Sequence, residues 1–280
     1  MKTIVRADVL NDRQKTELFS LLAACAPDPA RPPAFPVEEA SPFFFLYSED
    51  GPQPAAVLAL LSEDAGSPDP DEPVECFAFT RPAQRQKGFF SALLQECLPL
   101  VGERDLLFPF SHEDEAGRLA LEAAGAEIAC TEYRMERALD AALPRLLRAP
   151  RLFLGWEETA EAGVLTLSCR AFLRSDPRRE AAVCRIDVPD ARGGGADLPG
   201  AYGCKADLSG ARGCFYGFQV APALRGQKIG EETLLLTLEA LRGRGLASLF
   251  LHVSKDNTAA LGLYQKRGFR ITETLSYYLY

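Results

Sequence analysis

The chain has 280 residues, 47% of them hydrophobic and 25% charged, with a formal net charge of -8. That composition excludes a disordered chain, and the length is enough for two domains. No cluster of Lys and Arg is present to displace counterions from phosphates, and no apolar stretch reaches the length of a bilayer span, so neither nucleic acid nor a membrane is an expected partner.

The N-terminal Met1–Asp8 segment lacks the apolar core of a signal peptide, and a cytoplasmic location is expected. The eight cysteines form no C-x-x-C pair, and the only histidines are His112 and His252. Most of the cysteines stand among apolar residues. Reduced core thiols and no bound metal are therefore expected.

Along the chain, Asn11 followed by Gln14 predicts a capped helix whose apolar face is Leu18, Leu21, Leu22 and Cys25. A Pro-rich loop follows over Pro27–Pro36. Strands are predicted at Phe43–Tyr47, Ala55–Leu61 and Val74–Thr80, with a Pro- and Asp-rich turn at Ser67–Pro73 before the last of them. A helix carrying Leu93, Leu94, Cys97 and Leu98 is expected to stop near Pro99. A buried strand at Leu106–Phe110 and a short helix stopped by Gly125 complete this half.

The second half repeats this order. Arg81–Phe90 matches Ala221–Gly230, with Arg85 and Arg225 half the chain apart. A β-prone run, Cys214–Val220, precedes the second copy, and a helix bearing Leu234, Leu235, Leu238 and Leu241 begins near Glu231. Then come a strand at Leu249–Val253 and a helix stopped by Gly268. Gly163–Cys169 alternates like a strand, and the Asn11 helix has no counterpart. Pro189–Gly200, with Gly193, Gly194 and Gly195, reads as a loop. The expected class is α/β (α+β): two tandem domains, each a mixed, mostly antiparallel sheet flanked by helices. They cover residues 1–140 and 152–280, joined by 141–151.

Two segments of the second half carry chemistry. Arg225, Gly226, Gln227 and Gly230 form a turn on a helix N-terminus, which is either a simple connection or a phosphate cradle. Asn257 and Tyr264 are two helical turns apart with Leu261 between them. Tyr264 is thus either a core tyrosine or a proton donor beside a ligand held by Asn257.

Together these segments resemble the GNAT family of N-acetyltransferases. The turn resembles the family's pyrophosphate loop, and Asn257, Ala260, Leu263, Tyr264, Gly268 and Phe269 resemble its closing motif. The resemblance covers Cys204–Tyr280 well and Val74–Met135 more weakly. It implies acetyl-CoA as cosubstrate and a small-molecule or peptide amine as acceptor. It also implies backbone pairing of the pantetheine arm at Phe218, Gln219 and Val220. The pyrophosphate would be wrapped by Arg225, Gly226, Gln227, Lys228, Ile229, Gly230 and Glu231. Asn257 would contact the cofactor, and Tyr264 would be the general acid.

The sequence departs from the pattern at Lys228, which stands where a glycine is usual and either strains the turn or pairs with phosphate. The first copy departs further: Phe90 matches Gly230, Asp114 matches Asn257, and Leu121 matches Tyr264. It is expected to be a degenerate scaffold. No acidic residue lies in Cys214–Val220. His252 is one candidate for the base, against a purely structural histidine. The alternative function is a non-catalytic acyl-CoA-binding or sensing module on the same duplicated fold.

Overall fold

A computed structural model describes residues 2–26, 35–61, 72–111, 115–139, 149–161, 163–189 and 208–280. The expected loops at 27–34, 67–71 and 190–200, together with His112 and Asp114, lie outside the described residues. The chain forms two units, Met1–Thr131 with Leu275–Tyr280, and Glu132–Thr274. The architecture is mixed α/β, with a mostly antiparallel sheet and flanking helices in each.

The first unit contains β1 (Thr3–Ala7), α1 (Asp12–Cys25), β2 (Ala40–Tyr47), β3 (Pro54–Leu61) and β4 (Val74–Thr80), then α2 (Phe89–Val101), β5 (Leu106–Ser111) and α3 (Glu115–Ala124). The Asn11 side chain accepts from Gln14 N at 2.9 Å, and Gln14 Oε1 accepts from Asn11 N at 3.1 Å, closing the expected capping box. β2 and β3 read as nearly unbroken apolar runs because both of their faces are covered. Phe43, Phe45, Val57 and Ala59 pack beneath α1 with Leu18, Leu21 and Leu22. Phe44, Leu46, Ala56 and Leu58 pack on the other side with Phe89, Leu93 and Leu94 of α2. Each such buried large side chain contributes roughly 1.5–3 kcal/mol of transfer free energy.

α2 stops near Pro99, as expected, but two residues beyond it. The helix runs to Val101 and closes at Gly102, whose φ is +71°. Proline in the last turn forfeits a single amide hydrogen bond, too little to end a helix whose apolar face continues to Val101.

The second unit holds most of β6 (Glu127–Ala138), then β7 (Leu152–Glu161), β8 (Val164–Leu173), β9 (Asp176–Pro189) and β10 (Arg212–Val220). These are followed by α4 (Ile229–Gly243), β11 (Ser248–Ser254), α5 (Thr258–Lys266) and the start of β12 (Arg270–Leu279). No helix separates β7 from β8, which form a tight hairpin with Glu161 paired to Val164. β8 and β9 accordingly alternate: Leu165, Leu167, Cys169, Cys184, Ile186 and Val188 are buried with Leu234, Leu238 and Leu241 of α4. Thr166, Ser168, Arg170, Val183, Arg185 and Asp187 occupy the opposite, uncovered face.

Each sheet takes in a strand distant in sequence from the one it pairs with. In the second unit, Glu132–Ala138 pairs antiparallel along the whole of β11. In the first, Leu275–Leu279 pairs antiparallel with β5, and Tyr278 is 1% exposed in that unit's core. Tyr278 meets Phe110 edge to face with centroids 5.9 Å apart, so this terminal tyrosine is a packing residue.

Candidate active site

In the second unit β10 and β11 run parallel but pair over three residues only, Arg212–Cys214 against Ser248–Phe250. Beyond Cys214 their pairing stops. Along the β9 edge, Tyr216 faces Arg185 and Gln219 faces Val183, so β10 carries one extra residue, a β-bulge. Gly217, at φ +61°, supplies the left-handed backbone it requires. Phe218, Gln219 and Val220 thus lie on a strand segment that has left its parallel partner.

Ala221 N then bonds to Ala181 O at 2.9 Å, and Pro222–Leu224 form a single 3-10 turn. The Arg225 guanidinium Nε turns back to Val220 O at 3.2 Å, and the Gln227 amide donates to Ala223 O at 3.1 Å. Two left-handed residues shape the loop, Gly226 at φ +74° and Lys228 at φ +62°. The first unit has the same backbone, with Gln86 at +63° and Gly88 at +70°. Each copy therefore holds one glycine and one side chain at these two sites, and the turn forms without glycine at 228. Lys228 is the N-cap of α4 and makes no side-chain cap. The first intrahelical bond is Glu232 N to Lys228 O, so the N–H groups of Ile229, Gly230 and Glu231 have no partner within the helix. Unpaired N–H groups and the positive end of a helix dipole are favourable surroundings for an anion.

The loop is braced by Arg151 and Glu232, which sequence reading missed. The buried Glu232 carboxylate accepts from Arg151 N at 2.5 Å, Leu152 N at 3.1 Å and Arg151 Nε at 2.9 Å. The same guanidinium donates to Gln227 O at 3.0 Å. Ile229 is buried beneath this clamp. Glu231 pairs with Lys266 Nζ at 2.8 Å and with Arg267, joining the starts and ends of α4 and α5.

Asn257 is the N-cap of α5, and its side-chain oxygen accepts from Ala260 N at 3.1 Å. Tyr264 is 7% exposed, with Phe215 edge-on at 6.3 Å and Phe269 at 5.6 Å. Burial, reinforced by the neighbouring Cys184, pushes its phenol up to about 12. In the first unit Leu121 is buried in the core, and Phe90 packs edge-on against Phe108 at 5.9 Å. There, too, the parallel strands β4 and β5 pair at only two positions.

On the uncovered face, beside the bulge, lies a cavity of about 510 Å³ lined by Ser168, Arg170, Arg185, Tyr216, Gly217 and Gln219, among others. Next to it, Asp187 Oδ1 accepts from Thr166 Oγ1 at 2.7 Å and from the Tyr216 hydroxyl at 3.1 Å. Partial burial and this carboxylate raise the Tyr216 phenol above its ordinary value. The signal for this face was the polar half of the alternation in β8 and β9. His252 is exposed on the same face of β11, its ring edge-on to Phe250 at 6.3 Å. Among the described residues, no three His, Cys, Asp or Glu side chains are grouped to hold a metal, and no helix is long and apolar enough to cross a membrane.

Residues 171–269, all within the second unit, match the acetyltransferase (GNAT) family, and that part of the chain belongs to it. Over 65 residues the chain is 39% identical to the mycothiol acetyltransferase of Renibacterium salmoninarum, a stretch covering 23% of this chain and 19% of that one. The whole chain is similar in fold to a tandem GNAT protein from the clavulanic acid biosynthesis pathway, at TM-score 0.66 and 14% identity, covering 98% of it. It is also similar in fold to the glucosamine N-acetyltransferase region of a fungal multi-domain GH3 β-N-acetylglucosaminidase, at TM-score 0.67, 12% identity and 38% of that chain.

Proposed function

We propose that the second unit transfers an acetyl group from acetyl-CoA to an amine. The observation that carries this reading is the juxtaposition, on one strand–loop–helix segment, of the length of β10 that β11 leaves unpaired and the N–H groups at the start of α4 that have no partner within the helix. The fit to the cosubstrate rests on Gly230, where a Cβ would meet Val220 Cγ2 at 3.2 Å and crowd the cradle. Ile229, Gly230 and Glu231 N–H groups would hold the pyrophosphate, with Arg225, Gln227 and Lys228 around it and Gly226 allowing close backbone approach. The backbone of Phe218, Gln219 and Val220 would pair with the pantetheine arm, and Asn257 would contact the cosubstrate through its amide.

In this mechanism the amine nitrogen attacks the thioester carbon directly, and its proton leaves to water or to a base on the open face. Backbone N–H groups past the bulge polarise the carbonyl. As the carbon–sulfur bond breaks, Tyr264 gives its proton to the departing sulfur and is reprotonated from solvent. A phenol held near 12 remains protonated at neutral pH and so keeps that proton available. The cavity beside the bulge receives the acceptor. The first unit, with Leu121 in place of the acid, serves as scaffold.

The deep burial of Tyr264 favours a second reading, a non-catalytic acyl-CoA-binding module. Turnover of isotope-labelled acetyl-CoA over a panel of polyamines, aminoglycosides, amino acids and peptide N-termini separates the two. Transfer to any amine supports the enzyme. Tight binding with no transfer to any of them supports the module.

A further inference from the structure

We infer that the acceptor is an amine bearing a negatively charged group a few bonds from its nitrogen, and that Arg185 holds that group. This rests on the reading of the second unit as an acetyltransferase and names the acceptor class of the same site.

Arg185 lies on β9 in ladder register with Tyr216, the residue just before the bulge at Gly217. On its other side it is in register with Ser168 of β8. Neighbouring strands are about 4.8 Å apart, so Ser168, Arg185 and Tyr216 form a row of polar side chains across the cavity floor, with Ser168 and Arg185 as its donors. The row leads to the bulge, where the thioester would lie.

The cavity has two guanidinium groups, and their surroundings differ. Arg170 is flanked by Glu157 at 3.8 Å and Glu180 at 3.9 Å. Arg185 makes no ion pair within 4 Å among the described residues. The nearby carboxylate of Asp187 is engaged instead by Thr166 and Tyr216. An arginine in a concavity presents a planar fork of donors that matches a carboxylate, sulfonate or phosphate. A cationic or neutral group placed there would leave the fork without a partner. The reach of an arginine side chain from β9 toward the bulge spans only a few bonds, which limits the spacing between acid and amine in the acceptor.

The test uses matched pairs of amines: glycine against glycinamide, phosphoethanolamine against ethanolamine, and glucosamine 6-phosphate against glucosamine. The full chain and its Arg185→Ala and Arg185→Glu variants are assayed for CoA release. Calorimetric binding of each amine is measured separately. At least one anionic member should exceed its neutral partner in kcat/KM by about ten- to a hundredfold, and Arg185→Glu should remove or reverse that preference. The affinity for acetyl-CoA and the melting temperature should stay unchanged, since Arg185 is exposed. The pair that shows the effect tells carboxylate from phosphate. Neutral amines turned over as well as their anionic partners, or a preference untouched by Arg185→Glu, would overturn the inference while leaving the acetyltransferase reading intact. Arg185-dependent binding of an anionic amine with no transfer would sustain the anion site and defeat the acetyltransferase reading. No Arg185-dependent binding of any pair overturns the inference outright.

Discussion

Gly230 in the first turn of α4 stands so close to Phe218 on β10 that a Cβ there would lie 3.6 Å from the phenyl Cζ. The first unit fills the equivalent space the other way round, with Ala78 on the strand and Phe90 on the helix, both packed against its core. One aromatic ring is accommodated in either copy, on the strand in the second and on the helix in the first. Gly230→Trp should weaken acetyl-CoA binding by about ten- to a hundredfold, because overpacking pushes α4 off the strand. Phe90→Trp should leave it unchanged. Calorimetry should find one tight site in the wild-type chain, lost only in the Gly230 variant.

Lys228 and Gly88 share one left-handed N-cap position, at φ +62° and +70°. A side chain there costs about 1 kcal/mol, partly offset because glycine loses more entropy on folding. Lys228→Gly should therefore raise stability by up to about 1 kcal/mol. It should also weaken acetyl-CoA binding by about two- to fivefold at low salt, the scale of an exposed ion pair. Lys228→Gln should show the affinity loss without the gain in melting temperature.

Glu232 is a buried carboxylate with three donors on it, all from Arg151 and Leu152. Glu232→Ala leaves two backbone N–H groups without their acceptor and removes the ion pair to Arg151, and should cost on the order of 2–4 kcal/mol. The chain's single tryptophan, Trp156, lies on β7 just beyond this clamp, so its fluorescence follows the melting of the second unit. Acetyl-CoA affinity should fall as well, because the Arg151 guanidinium also holds Gln227 O.

Tyr264→Phe should lower kcat by about a hundredfold or more with little change in acetyl-CoA affinity, since general acid catalysis is worth roughly 10²–10⁴. The Tyr264 phenol also leaves a signature in stability. Its folded value near 12 exceeds the ordinary 10, so the folded state keeps the proton longer. The associated stability is fully present below pH 10 and is lost as the pH rises toward 12, on the order of 2 kcal/mol. Alkaline melting temperatures of the wild type should therefore fall relative to those of Tyr264→Phe, which has no phenol to ionise, across that window. Wild-type turnover in the variant, with chemistry rate-limiting, would remove Tyr264 from the mechanism. Leu121→Tyr should create no second active site.

Tyr278, two residues before Tyr280, is buried in the core of the first unit. Tyr278→Ala should cost about 3–5 kcal/mol there. Far-UV circular dichroism should then show an early transition, while the Trp156 signal, which belongs to the second unit, should move less.

Local features were legible from the residues alone. The Asn11 cap is a contact between residues three apart, and the loop at 221–230 announced itself by matching 81–90 and by its place between a strand and a helix. Gly163–Cys169 alternates like a strand, and β8 lies there. Pro99 marked the neighbourhood of the helix end, and the last two residues were set by the packing of Val101.

Tertiary structure decided what depends on partners distant in sequence. The last strand alternates in a way that suits either sheet, and only the pairing of Leu275–Leu279 with β5 assigns Tyr278 to the first unit's core. Arg151 and Glu232 are 81 residues apart, with nothing local to link them. The opening of β10 from β11 follows from a register that stops at Cys214, and the place of Arg185 beside the bulge follows from its register with Tyr216. The sequence by itself determined which residues could cap, turn, bury or stay wet, because those are properties of neighbours along the chain. Which of them meet at one site was decided by strand register, where a shift of one residue would carry each side chain to the opposite face.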